Sequence, residues 1–289
     1  MGSSHQEYAF EKMKTEKDQN EKVALRRKRW RAIAINSMAV VGALALFALL
    51  GFVGKSQSEN RCHSVEVKLK NPNGHDFVSE KQILKSVYGS TDSIQGKLVK
   101  DIDLTQIHAA VVKNGAVREA HVYTTIDGRL RIDVDQRTPI ARILNQSGTG
   151  FYLDEQGFTM PLSDLYSADV PLFTGNLSES MMQSSVLEMT GDTAFCERSF
   201  LDDIYRITNY ISKNEFWSAQ IEHFYVNSLG EFVMVPRVGD HRIVIGNTEN
   251  LDNKFRKLMA FYVDVMPVKN LNNVKTINLK YKGQVVCDQ

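Results

Sequence analysis

Between Ala32 and Val53 the chain runs 22 residues without a charge, AIAINSMAVVGALALFALLGFV, and only Asn36 and Ser37 in it are polar. As a helix at 1.5 Å per residue, such a run is about 33 Å long, enough for a hydrocarbon core of about 30 Å. The pattern predicts one membrane span over Ala32 to Val53. Beyond a short polar linker the pattern becomes that of a folded, water-exposed protein. In Ser64 to Lys70, Val65, Val67 and Leu69 alternate with charged residues, as in a half-buried strand. Ser79 can cap a helix carrying Ile83, Leu84 and Val87 on one face and stopped by Gly89. Asp103 or Thr105 can cap a second, with Leu104, Ile107 and Val111 inward and Asn114-Gly115 at its end. Two alternating strands, Ala120 to Thr124 and Leu130 to Asp135, flank Asp127-Gly128, a strong hairpin signal. The order is β-α-α-β-β.

From Arg137-Thr138-Pro139 the pattern shortens. Ile140 to Leu144, Gly150 to Asp154 and Phe158 to Met160 read as strands, with a turn at Glu155-Gln156-Gly157. Pro171-Leu172-Phe173 leads into a polar stretch, Thr174 to Thr193, which reads as a surface excursion with some helix. A helix is predicted over Arg198 to Ser212 with Leu201, Ile204, Tyr205, Thr208 and Ile211 on one side. Strands follow at Ile221 to Val226, Glu231 to Val235 and Arg242 to Ile245, then a helix from Asn250 to Val265. Thr276 to Tyr281 and Gln284 to Cys287 are the last predicted strands. The fold class is therefore α+β: one transmembrane helix, a β-α-α-β-β module and a strand-rich domain with about two packing helices.

Charge divides the chain at the apolar run. Residues 1–53 hold nine basic and five acidic residues, and the remainder holds 26 and 29. The bases cluster at Lys22, Arg26, Arg27, Lys28, Arg29 and Arg31, directly before the span. By the positive-inside rule the N-terminus is cytoplasmic and the rest lies outside. The run is longer than a signal-peptide core and no A-x-A site follows it, so it reads as an uncleaved anchor. A net charge of +1 argues against a nucleic-acid protein driven by a basic surface. The composition of residues 1–21 predicts disorder.

Candidate chemistry is sparse. HExxH, GxSxG, P-loop and GxGxxG patterns do not occur. Cys62 and His63 are adjacent, but no second Cys/His pair stands at zinc spacing. Asp101 and Asp103 precede a helix and read as capping groups. Asp133 and Asp135 alternate outward on a strand, and Asp154-Glu155 lies in a turn. Three cysteines leave at least one unpaired within the chain. The expectation is a non-enzyme without cofactor or metal.

Several local motifs follow one another in an order that resembles the FtsQ/DivIB family of bacterial division proteins. They are Lys100-Asp101-Ile102-Asp103-Leu104, Ala116 to Val122, Arg129 to Val134, Arg137-Thr138-Pro139-Ile140-Ala141 and Tyr152 to Gly157. Near the end come Arg242 to Gly246 with Lys254 and Leu258, then Asn278-Leu279-Lys280-Tyr281. The resemblance implies a cytoplasmic tail over 1–31, a span over 32–53, a linker over 54–61, a POTRA domain over 62–136 and a β domain over 137–289. It implies a non-enzymatic scaffold of the division machinery in the inner membrane, with periplasmic C-terminal domains. Its implied partners are FtsB/DivIC-like and FtsL-like single-span proteins, other division proteins through the POTRA domain, and the lipid bilayer, with no nucleic acid. The implied contact is strand addition at the last strand, through Lys280, Tyr281, Lys282, Gly283, Gln284, Val285 and Val286. Lys280 stands where the family has Arg, and Asn278 where it has Asp. The alternative is another POTRA-bearing factor for envelope assembly or export.

Overall fold

A computed structural model describes residues 60–71, 74–91, 93–189, 191–196, 198–265 and 274–288, together with Met38, Val41 and Gly42. The expected tail and span, apart from those three residues, lie outside the described set, as does most of the linker. No helix of the described residues is long and apolar enough to cross a membrane. The chain forms two units. The first comprises residues 1–61 and 98–101. In it Arg61 bridges Leu98, the Val99 N–H donates to the Asn60 carbonyl at 2.9 Å, and Val99–Asp101 is a 3-10 turn. The second unit comprises residues 62–97 and 102–289 and carries all named strands.

The second unit begins with β1 (Ser64–Lys70), α1 (Glu80–Ser90), α2 (Leu104–Val112), β2 (Val117–Thr124) and β3 (Arg129–Gln136). The sheet order is β1-β3-β2, with β3 parallel to β1 and antiparallel to β2. The periodicity explains the packing. Ile83, Val87, Ile107 and Val111 on the helices are buried with Leu130, Ile132 and Val134 of β3. Ser79 forms a capping box with Gln82 at the start of α1, and the Asp103 carboxylate accepts the Gln106 N–H at 3.0 Å at the start of α2. Gly89 does not stop α1. The helix runs to Ser90, where the Ser90 and Thr91 hydroxyls donate to the Val87 carbonyl and satisfy its end. The first hairpin strand starts three residues earlier than expected, because an irregularity between Val117 and Glu119 breaks the alternation there.

The rest of the unit is a nine-stranded sheet. Its elements are β4 (Pro139–Leu144), β5 (Gly150–Asp154), β6 (Thr159–Pro161), β7 (Leu172–Gly175), α3 (Val186–Met189), α4 (Thr193–Cys196), α5 (Leu201–Ser212), α6 (Glu215–Gln220), β8 (Ile221–Val226), β9 (Phe232–Pro236), β10 (Arg242–Gly246), α7 (Leu251–Ala260), β11 (Thr276–Asn278) and β12 (Val286–Asp288). The strand order is β12-β11-β10-β9-β8-β7-β4-β5-β6. The pairs β4–β7, β7–β8 and β10–β11 are parallel. Each parallel pair needs a crossover, and α5 and α7 lie in two of those crossovers. Their apolar faces (Leu201, Ile204, Ile211, Phe255, Leu258) share one core with Phe173, Phe224, Met234, Ile243 and Ile277.

The structure corrects several expectations here. Leu172–Gly175 is a strand between β4 and β8, missed because its four residues are preceded by Pro171 and followed by a polar stretch. The polar excursion is not a surface feature throughout. Leu177 and Val186 are fully buried, and the buried Glu179 carboxylate accepts from the Ser199 hydroxyl at 2.8 Å and the Phe200 N–H at 2.7 Å. Its polarity serves the start of α5. Helix α5 begins at Leu201 rather than Arg198, and α6, capped by Asn214 on the Trp217 N–H at 3.1 Å, is an element the periodicity was too short to reveal. The helix expected over Asn250 to Val265 is α-helical to Ala260 and then a π-turn over Phe261–Val265.

Gln136 and its neighbours tie the two sheets together inside this unit. The buried Gln136 side chain accepts the Phe77 N–H at 2.8 Å and the Val78 N–H at 3.2 Å, and donates to Asp76 at 2.7 Å. Phe77 in turn packs edge-on against Tyr152 and Tyr166.

His241, 5% exposed, contacts the Tyr262 hydroxyl at 2.7 Å. Burial holds the His241 imidazole below its ordinary pKa despite the opposing Asp240 charge, and burial pushes Tyr262 up to about 12. With its folded pKa depressed, the unfolded state binds the extra proton first. Stability is therefore flat above the ordinary histidine value, about 6.5, and falls as the pH drops below it. Denaturation midpoints at pH 7.5 and 5.5 should show this fall, and His241→Gln should reduce it. An equal fall in the variant would assign the pH dependence elsewhere.

Candidate functional site

The predicted contact residues lie at and between the last two strands. β10 and β11 run parallel, so Ile243 lies opposite Ile277, and β12 returns antiparallel with Cys287 opposite Ile277. β12 is one of the two edge strands of the sheet, with β6 at the other end. Its alternation is legible: Cys287 packs partly against the core, whereas Val286 is 37% exposed and Asp288 is exposed.

The predicted strands Thr276 to Tyr281 and Gln284 to Cys287 are both corrected. β11 ends at Asn278 and β12 starts at Val286. Lys280, Tyr281, Lys282, Gly283, Gln284 and Val285 form the connection between them. Alternation stopped being a guide because Asn278 and Gly283 shape a loop: the Asn278 side chain accepts the Lys280 N–H at 3.1 Å, and Gly283 has φ +75°. Only Val286 of the seven residues lies on the edge strand itself.

The connection is nonetheless an ordered part of the site. Leu279, 1% exposed, anchors its start, and the Leu279 N–H extends the ladder to the Val244 carbonyl at 2.9 Å. Lys280 turns back over the sheet and its ammonium meets Glu231 at 2.7 Å. That hydrogen bond raises the Lys280 pKa, and it is the main cause of the lowered Glu231 pKa, with Asn227 second. The Lys280 stem passes so close to Gly246 that an added Cβ there would stand 2.9 Å from it. Tyr281 is 48% exposed, and Val285 leans on the main core.

Two concavities lie on this half of the sheet, one of them at the edge. On the open face of the sheet, a groove of about 740 Å³ is lined by His223, Tyr225, Val233, Val235, Arg242 and Val244, among others. Arg242 is the one Lys or Arg among its described lining residues. His223 meets the Thr174 hydroxyl at 2.7 Å, and burial keeps its pKa below the ordinary value. On the helix-bearing side, Ala260, Phe261, Val265, Val285 and Cys287 help line a second groove of about 520 Å³. Strand reasoning did not show these grooves, because the first is a face shared by several paired strands and the second is walled by α7, the π-turn after it and the approach to β12.

No nucleophile–base constellation is assembled among the described candidate residues. Asp103 caps α2, and Asp133 and Asp135 face Lys70 at 4.0 and 3.8 Å. Asp154 is 1% exposed, and its Oδ1 accepts the Gln156 and Phe158 N–H groups at 2.9 and 2.7 Å. Its Oδ2 meets Arg137 at 2.7 Å, and that guanidinium lies over the Phe158 ring. Glu119, His121 and Asp135 bring potential ligand atoms within 4.8 Å of one another, yet Asp135 already faces Lys70 and Arg118. Cys62 is buried in the core of the three-stranded module, and no disulfide links the cysteines among the described residues.

Residues 138–288 match the family model described as FtsQ/DivIB, C-terminal related. Residues 60–135 match a POTRA-like domain. Among curated proteins, "Cell division protein FtsQ" of Salinibacter ruber is 27% identical over 180 residues, 61% of this chain. The chain spans 66% of that relative's length, just under two thirds. "Cell division protein FtsQ" of Rhodothermus marinus is 24% identical over 201 residues, covering 66% of this chain and 67% of the relative. A solved structure, POTRA1-2 of the periplasmic domain of Omp85 from Anabaena, is 13% identical with a TM-score of 0.21, covering 56% of this chain and 86% of that one. A likeness of that size carries no weight for the fold.

Proposed function

The chain belongs to the FtsQ/DivIB C-terminal related family, and from that premise we propose that it is a non-enzymatic scaffold of the bacterial division machinery. Ala32 to Val53 anchors it in the cytoplasmic membrane at the division site, with the N-terminus inside. The POTRA domain, residues 62–136, and the β domain, residues 137–289, work outside. The partners are FtsB/DivIC-like and FtsL-like single-span proteins. Two relatives that are cell division proteins support the division role.

The observation that carries the docking mode is the position of β12 at the end of the nine-stranded sheet. An edge strand presents main-chain N–H and C=O groups to an incoming strand, and neighbouring pockets select its side chains. An added strand would lie beside Val286, with Tyr281 at one end and the groove lined by Val285 and Cys287 on the helix-bearing side. Aromatic residues are favoured anchors at interface centres, because they bury much area at little entropic cost. A shared bilayer would further raise the effective concentration of the partner.

The test is binding of the full-length chain, in detergent, to the C-terminal segment of the FtsB-like protein of the same organism. Tyr281→Ala should weaken binding about 30-fold, the scale of an interface hot spot. Val286→Pro, which removes an N–H and stiffens the edge, should weaken it at least as much. Unchanged affinity in both folded variants would place the contact away from this edge.

A further inference from the structure

A single lysine on α7 gathers the connection that carries Tyr281. The Lys257 ammonium donates to the Leu279 carbonyl at 3.1 Å, the Tyr281 carbonyl at 2.7 Å and the Gln284 carbonyl at 3.2 Å. Three acceptors spread over six residues thus converge on the three donors of one ammonium group. Lys257 itself is held by a helix whose Phe255 and Leu258 are buried in the core. The residues it gathers have few apolar contacts of their own, since Tyr281 to Gln284 are all exposed.

We infer that Lys257 is a positioning residue for partner docking: its ammonium sets the shape of residues 279–284 and so the direction in which Tyr281 is presented. The inference rests on the edge-strand reading above. Three carbonyl dipoles pointed at one place repel one another unless a cation stands between them. Without it the connection would open, Tyr281 would lose its fixed direction, and the entropy of reordering would be charged against binding. The geometry also discriminates between cations. A compact ammonium can serve three acceptors at once, whereas the planar fork of arginine sends its donors into one plane. Lys257 therefore belongs to the docking site without needing to touch the partner.

The experiment compares the full-length protein with Lys257→Met, which keeps most of the stem, and Lys257→Arg, which keeps the charge. Amide hydrogen exchange is followed in the free proteins, and affinity is measured for the synthetic C-terminal segment of the FtsB-like protein. In Lys257→Met, exchange over residues 280–286 should rise about tenfold while β8 and β9 keep their protection. Affinity should fall about tenfold, with Lys257→Arg in between. Unchanged exchange over 280–286 in Lys257→Met would overturn the inference. So would an equal rise throughout the sheet, because Lys257 would then be a general stabiliser. Failure of the wild type to bind the segment would instead sink the partner assignment, and the exchange data would still decide the role of Lys257 in shaping the connection.

Discussion

Gly175→Ala should be among the most damaging single-methyl additions in the molecule. Gly175 closes β7 with φ +101°, and a Cβ at that position would lie 2.2 Å from the Val226 carbonyl oxygen and 2.8 Å from the Val226 nitrogen. Both atoms are backbone of the neighbouring strand, so no side-chain rotation can relieve the contact. Val226 is also tied on the far side of the turn, where the Asn176 N–H donates to its carbonyl at 2.8 Å. The positive φ alone costs an L-residue about 1–2 kcal/mol. Parting β7 from β8 would add roughly 1–3 kcal/mol or more, because the cores on either side are close-packed. Gly148→Ala is the natural control. It has φ +80° but nothing within 4 Å of the added carbon, so it should show the backbone cost without the clash. The buried Trp217 gives a fluorescence reading of thermal unfolding. The melting temperature should fall far more in Gly175→Ala than in Gly148→Ala. Similar losses would mean that the strand end gives way at little cost.

Asp154→Ala should come close to it in effect. The carboxylate is almost wholly removed from water and satisfies three donors, Arg137 and the N–H groups of Gln156 and Phe158. Breaking a buried pair costs about 3–5 kcal/mol, because the remaining charge stays without its counterpart. Here the variant also leaves two turn N–H groups without their acceptor. Arg137 is 14% exposed at its side chain and sits at the junction of β3 and β4, so the strand that opens the larger sheet would loosen with it. Asp154→Asn keeps an acceptor for the turn while discarding the charge, and should recover part of the loss. Equilibrium urea denaturation separates the cases, and a loss below about 1 kcal/mol in Asp154→Ala would show water replacing the pair.

The two residues illustrate different kinds of sequence legibility. Asp154 stood out as a turn residue and Arg137 as part of the motif at the change of pattern. The turn follows from local rules, and the partnership of the two across 17 positions needed the fold. Gly175 carried no signal at all. Its necessity comes from the approach of Val226, a residue 51 positions away that parallel pairing brings alongside. The same division holds at the candidate site. The place of Tyr281 and Val286 near the end of the chain followed from the motif, but their exposure did not, because alternation lets either face of a strand be buried and Tyr281 lies off the strands altogether. The loop between β11 and β12 was not readable either, since its shape comes from Lys257 on α7 and from Glu231 ahead of β9.

What the sequence determined by itself is everything governed by short range. Period-2 and helical spacing gave the β-α-α-β-β order, the caps at Ser79 and Asp103, and the hairpin at Gly128, because each depends on neighbours within a few residues. The motif order pointed to the family that the match over residues 138–288 establishes. Tertiary structure alone decided which strands are neighbours, which strand is left at the edge, and why a polar stretch such as Glu179 is buried. Those outcomes rest on long-range pairings among β4, β7, β8, β10 and β11, where burial and hydrogen-bond satisfaction across the whole sheet outweigh local preference.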